Sequence, residues 1–195
     1  MYWLHYKRHP KNGSAAENAN RWAVRTVNVQ TGLEYAGGFV FMRHSREEVI
    51  KRTIREFKLL DDLVSSLTHE DWDRLLTRPE TKDPWTVKDA LAHITHWKAD
   101  VVRRIKKQPI PVEEKGLSET DGNHLIYTRW RDRSPQDVLA WHRQVQDDVL
   151  AALQEAPEEW FSGRERQPEW PFDLDGHSSY HRVKDIEQAL KKPTQ

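Results

Sequence analysis

Cysteine is absent from the 195 residues, which removes disulfides, thiolate metal ligation and cysteine nucleophiles together. That absence fits a reducing, cytoplasmic setting. No run approaches the roughly 20 apolar residues of a membrane span, and no apolar h-region follows the first basic residues, so neither a membrane partner nor export is expected. An excess of one charge is missing too: 31 Lys plus Arg balance 31 Asp plus Glu. Without a basic stripe interleaved with aromatics, no nucleic-acid partner is expected. The chain also lacks a phosphate-cradling Gly-rich loop and a Gly-x-Ser-x-Gly elbow, and His69-Glu70 has no second histidine to complete a His-Glu-x-x-His motif. Adjacent acids such as Asp61-Asp62, Asp147-Asp148 and Glu158-Glu159 read as solvating charges rather than catalytic pairs.

What is present divides at about residue 42. Residues 1–41 lack helical periodicity; at most Val27, Val29 and the run Phe39-Val-Phe41 suggest a short hairpin. They read as a weakly ordered extension. An alternative is that they are not native protein, because codons for Ala36-Gly37-Gly38 can spell a purine-rich ribosome-binding sequence ahead of Met42. Residues 42–195 then form the single folded domain.

From Met42 onward the pattern is helical. Ser45-Arg-Glu-Glu48 is a capping box, followed by Val49, Ile50, Ile54, Phe57, Leu60, Val64 and Leu67 at helical spacing, so helix one is expected over 46–67. A short turn follows around Trp72. Thr86 to Asp89 caps helix two, whose apolar face is Val87, Ala90, Leu91, Ile94, Val101 and Ile105. Ser134, Pro135 and Asp137 open helix three, and helix four begins near Gly176 or His177. Four amphipathic helices without alternating strands predict an all-α four-helix bundle. Residues 108–133 are too long for a tight turn, so the connection between helices two and three is expected to cross over, which allows parallel neighbours.

Two features carry chemistry. His177 and His181 stand four apart, one turn along a helix, and helix two can supply a third imidazole; three neutral nitrogens with an open fourth position describe a catalytic divalent-metal site. On a helical wheel His93 flanks the apolar arc of helix two and His96 points away, so His96 is expected at the surface. His142 falls inside the apolar stripe of helix three, as a buried donor or a satisfied core histidine. On helix four the apolar residues Val183, Ile186 and Leu190 lie opposite His177 and His181, which share a face with Lys184, the pattern of a solvated face. The nine tryptophans read first as core rings at helix junctions. Alternatively, Trp97, Trp141 and Trp170 wall a ligand pocket.

The string Trp85-Thr-Val-Lys-Asp-Ala-Leu-Ala-His93-Ile-Thr-His-Trp97 resembles the second-helix signature of the DinB-like superfamily, damage-inducible proteins that include thiol-dependent S-transferases. His177-Ser-Ser-Tyr180-His181 with Ile186 is similar to its fourth-helix motif. Residues 123–139 resemble the crossover of a subgroup that includes self-resistance proteins, and the likeness spans about residues 45–191. It implies a DinB-like bundle in which His93, His177 and His181 hold zinc or nickel, with Tyr180 or His142 orienting them. It further implies a transferase joining a low-molecular-weight thiol such as bacillithiol or mycothiol to an electrophilic small molecule. The small residue and Gln-Ile usual after the histidine pair are replaced by Val183, Lys184 and Asp185-Ile186. Two alternatives stand beside the transferase: a metal-free small-molecule binding or self-resistance protein, and a structural homodimer using an exposed helix face.

Overall fold

The computed structural model describes residues 45–77, 82–162 and 174–191. All of them belong to one compact unit, His44–Gln195. The expectations for residues 1–41 and for Trp170 lie outside the described residues.

Helix α1, Arg46–Ser65, starts where Ser45 Oγ accepts the Glu48 N–H at 3.1 Å. Helix α2, Val87–Ile105, starts where the Asp89 carboxylate accepts from both the N–H (2.9 Å) and the hydroxyl (2.8 Å) of Thr86. Helix α3, Pro135–Glu155, opens on a reciprocal box between Ser134 and Asp137, with proline where its missing N–H costs nothing. Each such cap is worth about 1 kcal/mol. Helix α4 is composite: an α-helix Leu174–His181, a π-turn Arg182–Ile186 and an α-helix Glu187–Lys191. No β-strand occurs among the described residues, only an isolated bridge between Leu75 and Thr86.

The core consists of two apolar clusters, and the ends of each helix show which way it runs. Helix α1 enters the first cluster with Val49 and the second with Leu60 and Val64; α4 does the same with Leu174 and then Ile186. Helices α2 and α3 run the other way, from Ala90, Leu91 and Val138 in the second cluster to Val101, Ile105 and Val149 in the first. The neighbours α2 and α3 are therefore parallel, as the long crossover allows. A helix at Glu119–Trp130 returns the chain, and its end is held by Lys88, whose buried Nζ donates to the carbonyls of Trp130 (2.9 Å) and Arg131 (2.8 Å). A cation suits the partial negative charge of a helix C-terminus. No helix among the described residues is long and apolar enough to cross a membrane.

Between the two apolar clusters, all four helices turn polar residues inward. Thr53 and Glu56 follow Val49 on α1, Thr95 and Lys98 follow Ile94 on α2, and His142 and Gln146 alternate with Val138, Val145 and Val149 on α3. Ser178, His181 and Asp185 separate Leu174 from Ile186 on α4. This layer corrects the expected face of helix one. Ile54 is 45% exposed, while its neighbour Thr53 and nearby Glu56 are buried, because the wheel assigned the core by apolarity alone.

Candidate metal centre

Helix α2 presents His93 at its inner edge, and the first segment of α4 presents His177 and His181 one turn apart. One ring nitrogen from each lies within 4.8 Å of the others. Ring centroids are separated by 5.1 Å (His93–His177), 4.7 Å (His93–His181) and 4.4 Å (His177–His181). His93 and His181 are buried and His177 is half-buried, so the trio sits at the edge of the polar layer with one side toward solvent.

The solvated face expected for helix four is not what forms. The π-turn is closed by the Glu187 N–H bonding to the Arg182 carbonyl, an i→i+5 bond that adds roughly one residue to the turn. That extra residue rephases the helix. Ile186 comes to the core side with His181, and Asp185 is buried beside it, while Val183 is 37% exposed. Asp185 Oδ2 lies 2.6 Å from His181 Nδ1. In a neutral imidazole, donation from Nδ1 leaves the lone pair on Nε2. Asp185 thus does for His181 what an outer carboxylate does for metal-bound histidine, fixing tautomer and ring orientation.

The surroundings of His93 are aromatic. Trp85, 2% exposed, lies 5.0 Å from it centroid to centroid, and Trp97 Nε1 donates to His93 Nδ1 at 3.3 Å. Ligation through Nδ1 displaces this bond, and ligation through Nε2 makes Nδ1 a donor facing a donor, so Trp97 must yield in either case. Tyr180 is 55% exposed and meets His181 edge to face at 5.1 Å. Trp141 stacks on Trp130 at 4.0 Å and packs against both apolar clusters, the role of a core ring.

Two further histidines stand on the bundle helices, His142 on α3 and His96 on α2. His142 is 0% exposed and stacks on Phe57 at 4.9 Å, with Nδ1 3.4 Å from Thr95 Oγ1. Burial, helped by the nearby Lys98 and Arg143 charges, pushes it down to about 3, so it is neutral. Its ring makes no contact with the trio among the described contacts. His96 is not a surface residue: only 14% of its side chain is exposed, and Glu114 of the 3₁₀ turn Val112–Glu114 approaches its Nε2 at 3.9 Å. Arg129 holds the same Glu114 at 3.1 Å, so the crossover covers the outward face of α2. Burial lowers the pKa of His96, and the Glu114 charge opposes this.

Sequence reasoning missed Asp185 as a partner of His181, although its i, i+4 position relative to His181 was a usable signal. It also missed Trp85 as a wall beside His93. Three imidazoles with no cysteine among them suit zinc or nickel, and a carboxylate behind one of them strengthens the fit.

Residues 55–173 match the family described as mycothiol maleylpyruvate isomerase N-terminal domain. No curated protein matches the sequence. Among solved structures, the chain is similar to the colibactin self-resistance protein ClbS in complex with a dsDNA, at 16% identity and TM-score 0.62, covering 78% of this chain and 99% of that one. An uncharacterised protein from Escherichia coli UTI89 matches at 16% identity and TM-score 0.59, over 76% and 92% of the two chains. The sibling lethal factor precursor DfsB matches at 18% identity and TM-score 0.58, over 75% and 95%. At these identities the structural likeness establishes the DinB-like fold.

Proposed function

The chain belongs to the mycothiol maleylpyruvate isomerase N-terminal domain family, and from that premise we propose that it is a divalent-metal protein conjugating a low-molecular-weight thiol to an electrophilic small molecule. The observation that carries this reading is the convergence of His93, His177 and His181 from two helices, with ring nitrogens within 4.8 Å of one another. A bound metal with an open position would lower the pKa of a coordinated thiol or water by stabilising its anion. Asp185 engages His181 Nδ1, which leaves Nε2 as the nitrogen that would hold such a metal. Half-buried His177 leaves the side through which a thiol and its partner reach the centre. Mycothiol is the thiol that the family description names; bacillithiol offers the same sulfur chemistry.

One observation favours a second reading, a metal-free protein that sequesters or destroys a reactive small molecule. Trp97 already occupies the Nδ1 lone pair of His93. In that role the Trp85 and Trp97 rings form the binding walls. Metal content decides between the two. Protein purified without a His-tag should carry about one equivalent of zinc or nickel, falling below about a tenth in His181→Ala. Wild-type protein that already holds less than about a tenth, unchanged in the variant, would sink the metalloprotein reading.

A further inference from the structure

The polar layer across the bundle has more hydrogen-bonding capacity than the protein uses. Lys98 Nζ, both ends of the Gln146 amide, His142 Nε2, Thr53 Oγ1 and Ser178 Oγ are sealed from solvent and have no hydrogen-bond partner. Buried polar groups without partners are few in native proteins, and each calls for an explanation. Here they come from all four helices. Lys98 Nζ lies 5.7 Å from the centre of the Phe57 ring, which itself stacks on His142, so Lys98 of α2 and His142 of α3 both pack against Phe57 of α1. Ser178 follows His177 in the first segment of α4, and its Oγ is sealed in the same way.

The chemistry of the layer selects its occupant. Thr95 Oγ1 donates its only proton to the Leu91 carbonyl at 2.8 Å, so toward His142 Nδ1 it can only accept. His142 therefore carries its proton on Nδ1, and Nε2 is an unused acceptor. Lys98 brings unused donors, and Gln146 brings one end of each kind. Negative charge already outweighs positive: the carboxylates of Glu56, Glu187 and Asp185 stand against two cations, Lys98 and Arg182, the latter pairing with Glu56 at 2.8 and 3.1 Å and with Glu187. An added anion would meet the His142 lone pair with no free charge to neutralise it.

We propose that this layer is a binding compartment for a neutral group carrying a carbonyl oxygen beside an N–H or O–H donor, of which an amide is the simplest example. The carbonyl accepts from Lys98 Nζ and the Gln146 amide nitrogen, and the donor engages His142 Nε2 or Gln146 Oε1. The compartment is closed in this conformation. Lys98 and Gln146 are long, unbranched side chains, so opening it calls for a change of their rotamers. The proposal deepens the small-molecule reading by naming the chemistry of the ligand's inner end, and it holds with or without metal at the histidines.

Acetamide is the probe, and the readout is the side-chain NMR signals of Gln146 and Lys98 in the full chain. Acetamide should shift both saturably and more tightly than acetate does. Lys98→Met should weaken acetamide binding by about tenfold or more, the size expected for a hydrogen bond to a charged donor, while leaving metal content unchanged. Gln146→Leu should also weaken it, which keeps the test intact if Lys98→Met does not fold. No saturable shift means that water alone fills the layer, tighter binding of acetate means an anion site, and unchanged affinity in both variants means that these groups do not bind; each result overturns the proposal. Wild-type protein that binds acetamide but carries no metal would instead count against the metal reading alone.

Discussion

His142 and His181 are equally sealed in the same bundle, 0% and 4% exposed, yet they occupy opposite chemical situations. His142 has a phenyl ring on its face, a hydroxyl at Nδ1 and two cations nearby, and burial with these cations keeps it uncharged. His181 has a carboxylate at Nδ1 and two further imidazoles at 4.7 and 4.4 Å. Depth in the core therefore does not make a histidine a ligand. What marks His181 as a candidate ligand is its convergence with two other imidazoles, together with an acceptor behind the ring that fixes the free lone pair.

The comparison breaks most readily at Asp185. Asp185→Asn removes the charge that orients His181, and zinc affinity measured by competition with a chelator should fall roughly 10–100-fold. An unchanged affinity would mean that the carboxylate is only packing. The corresponding test at His142 concerns stability rather than metal. Its folded pKa, about 3, lies below the ordinary 6.5, so between those values the unfolded chain binds a proton that the native chain does not. Its contribution is complete above about pH 6.5 and is lost as pH falls, with a slope of about 1.4 kcal/mol per pH unit. His142→Phe should flatten denaturation midpoints across pH 4–6 while leaving metal affinity unchanged, and a loss of metal in this variant would erase the distinction. The smallest effect is expected at Trp97. Trp97→Phe deletes a neutral hydrogen bond that would compete with a metal at His93, so zinc affinity should rise by less than about tenfold; a fall would make Trp97 a support of the site rather than a competitor.

Much of the bundle was legible in local chemistry. The caps at Ser45, Thr86 and Ser134 stand where Ser or Thr followed by Glu or Asp three residues later placed them, because capping satisfies backbone donors within one turn. The likeness carried by residues 85–97 and 177–181 pointed to the DinB-like fold. Three features were not legible. The π-turn at Arg182–Ile186 shifts the phase of α4, and a wheel drawn with a constant angle per residue turns His177 and His181 outward. The cover on His96 comes from Glu114, a residue of the crossover whose path local propensity does not specify. Glu56 points inward, against the apolar pattern, because Arg182 of α4 meets it there, and Thr53 is buried one turn before it.

By itself the sequence determined the four bundle helices, the caps of the first three, the family and the spacing of His177 from His181, since each depends on residues within a few turns or on an ordered string of motifs. Only the tertiary structure decided that His93 meets that pair, that Asp185 lies behind His181, that α2 and α3 run parallel and that a polar layer divides the core. Each of these depends on the phase and direction of helices distant in the chain, which are set when whole helix faces pack together and not by any local run of residues.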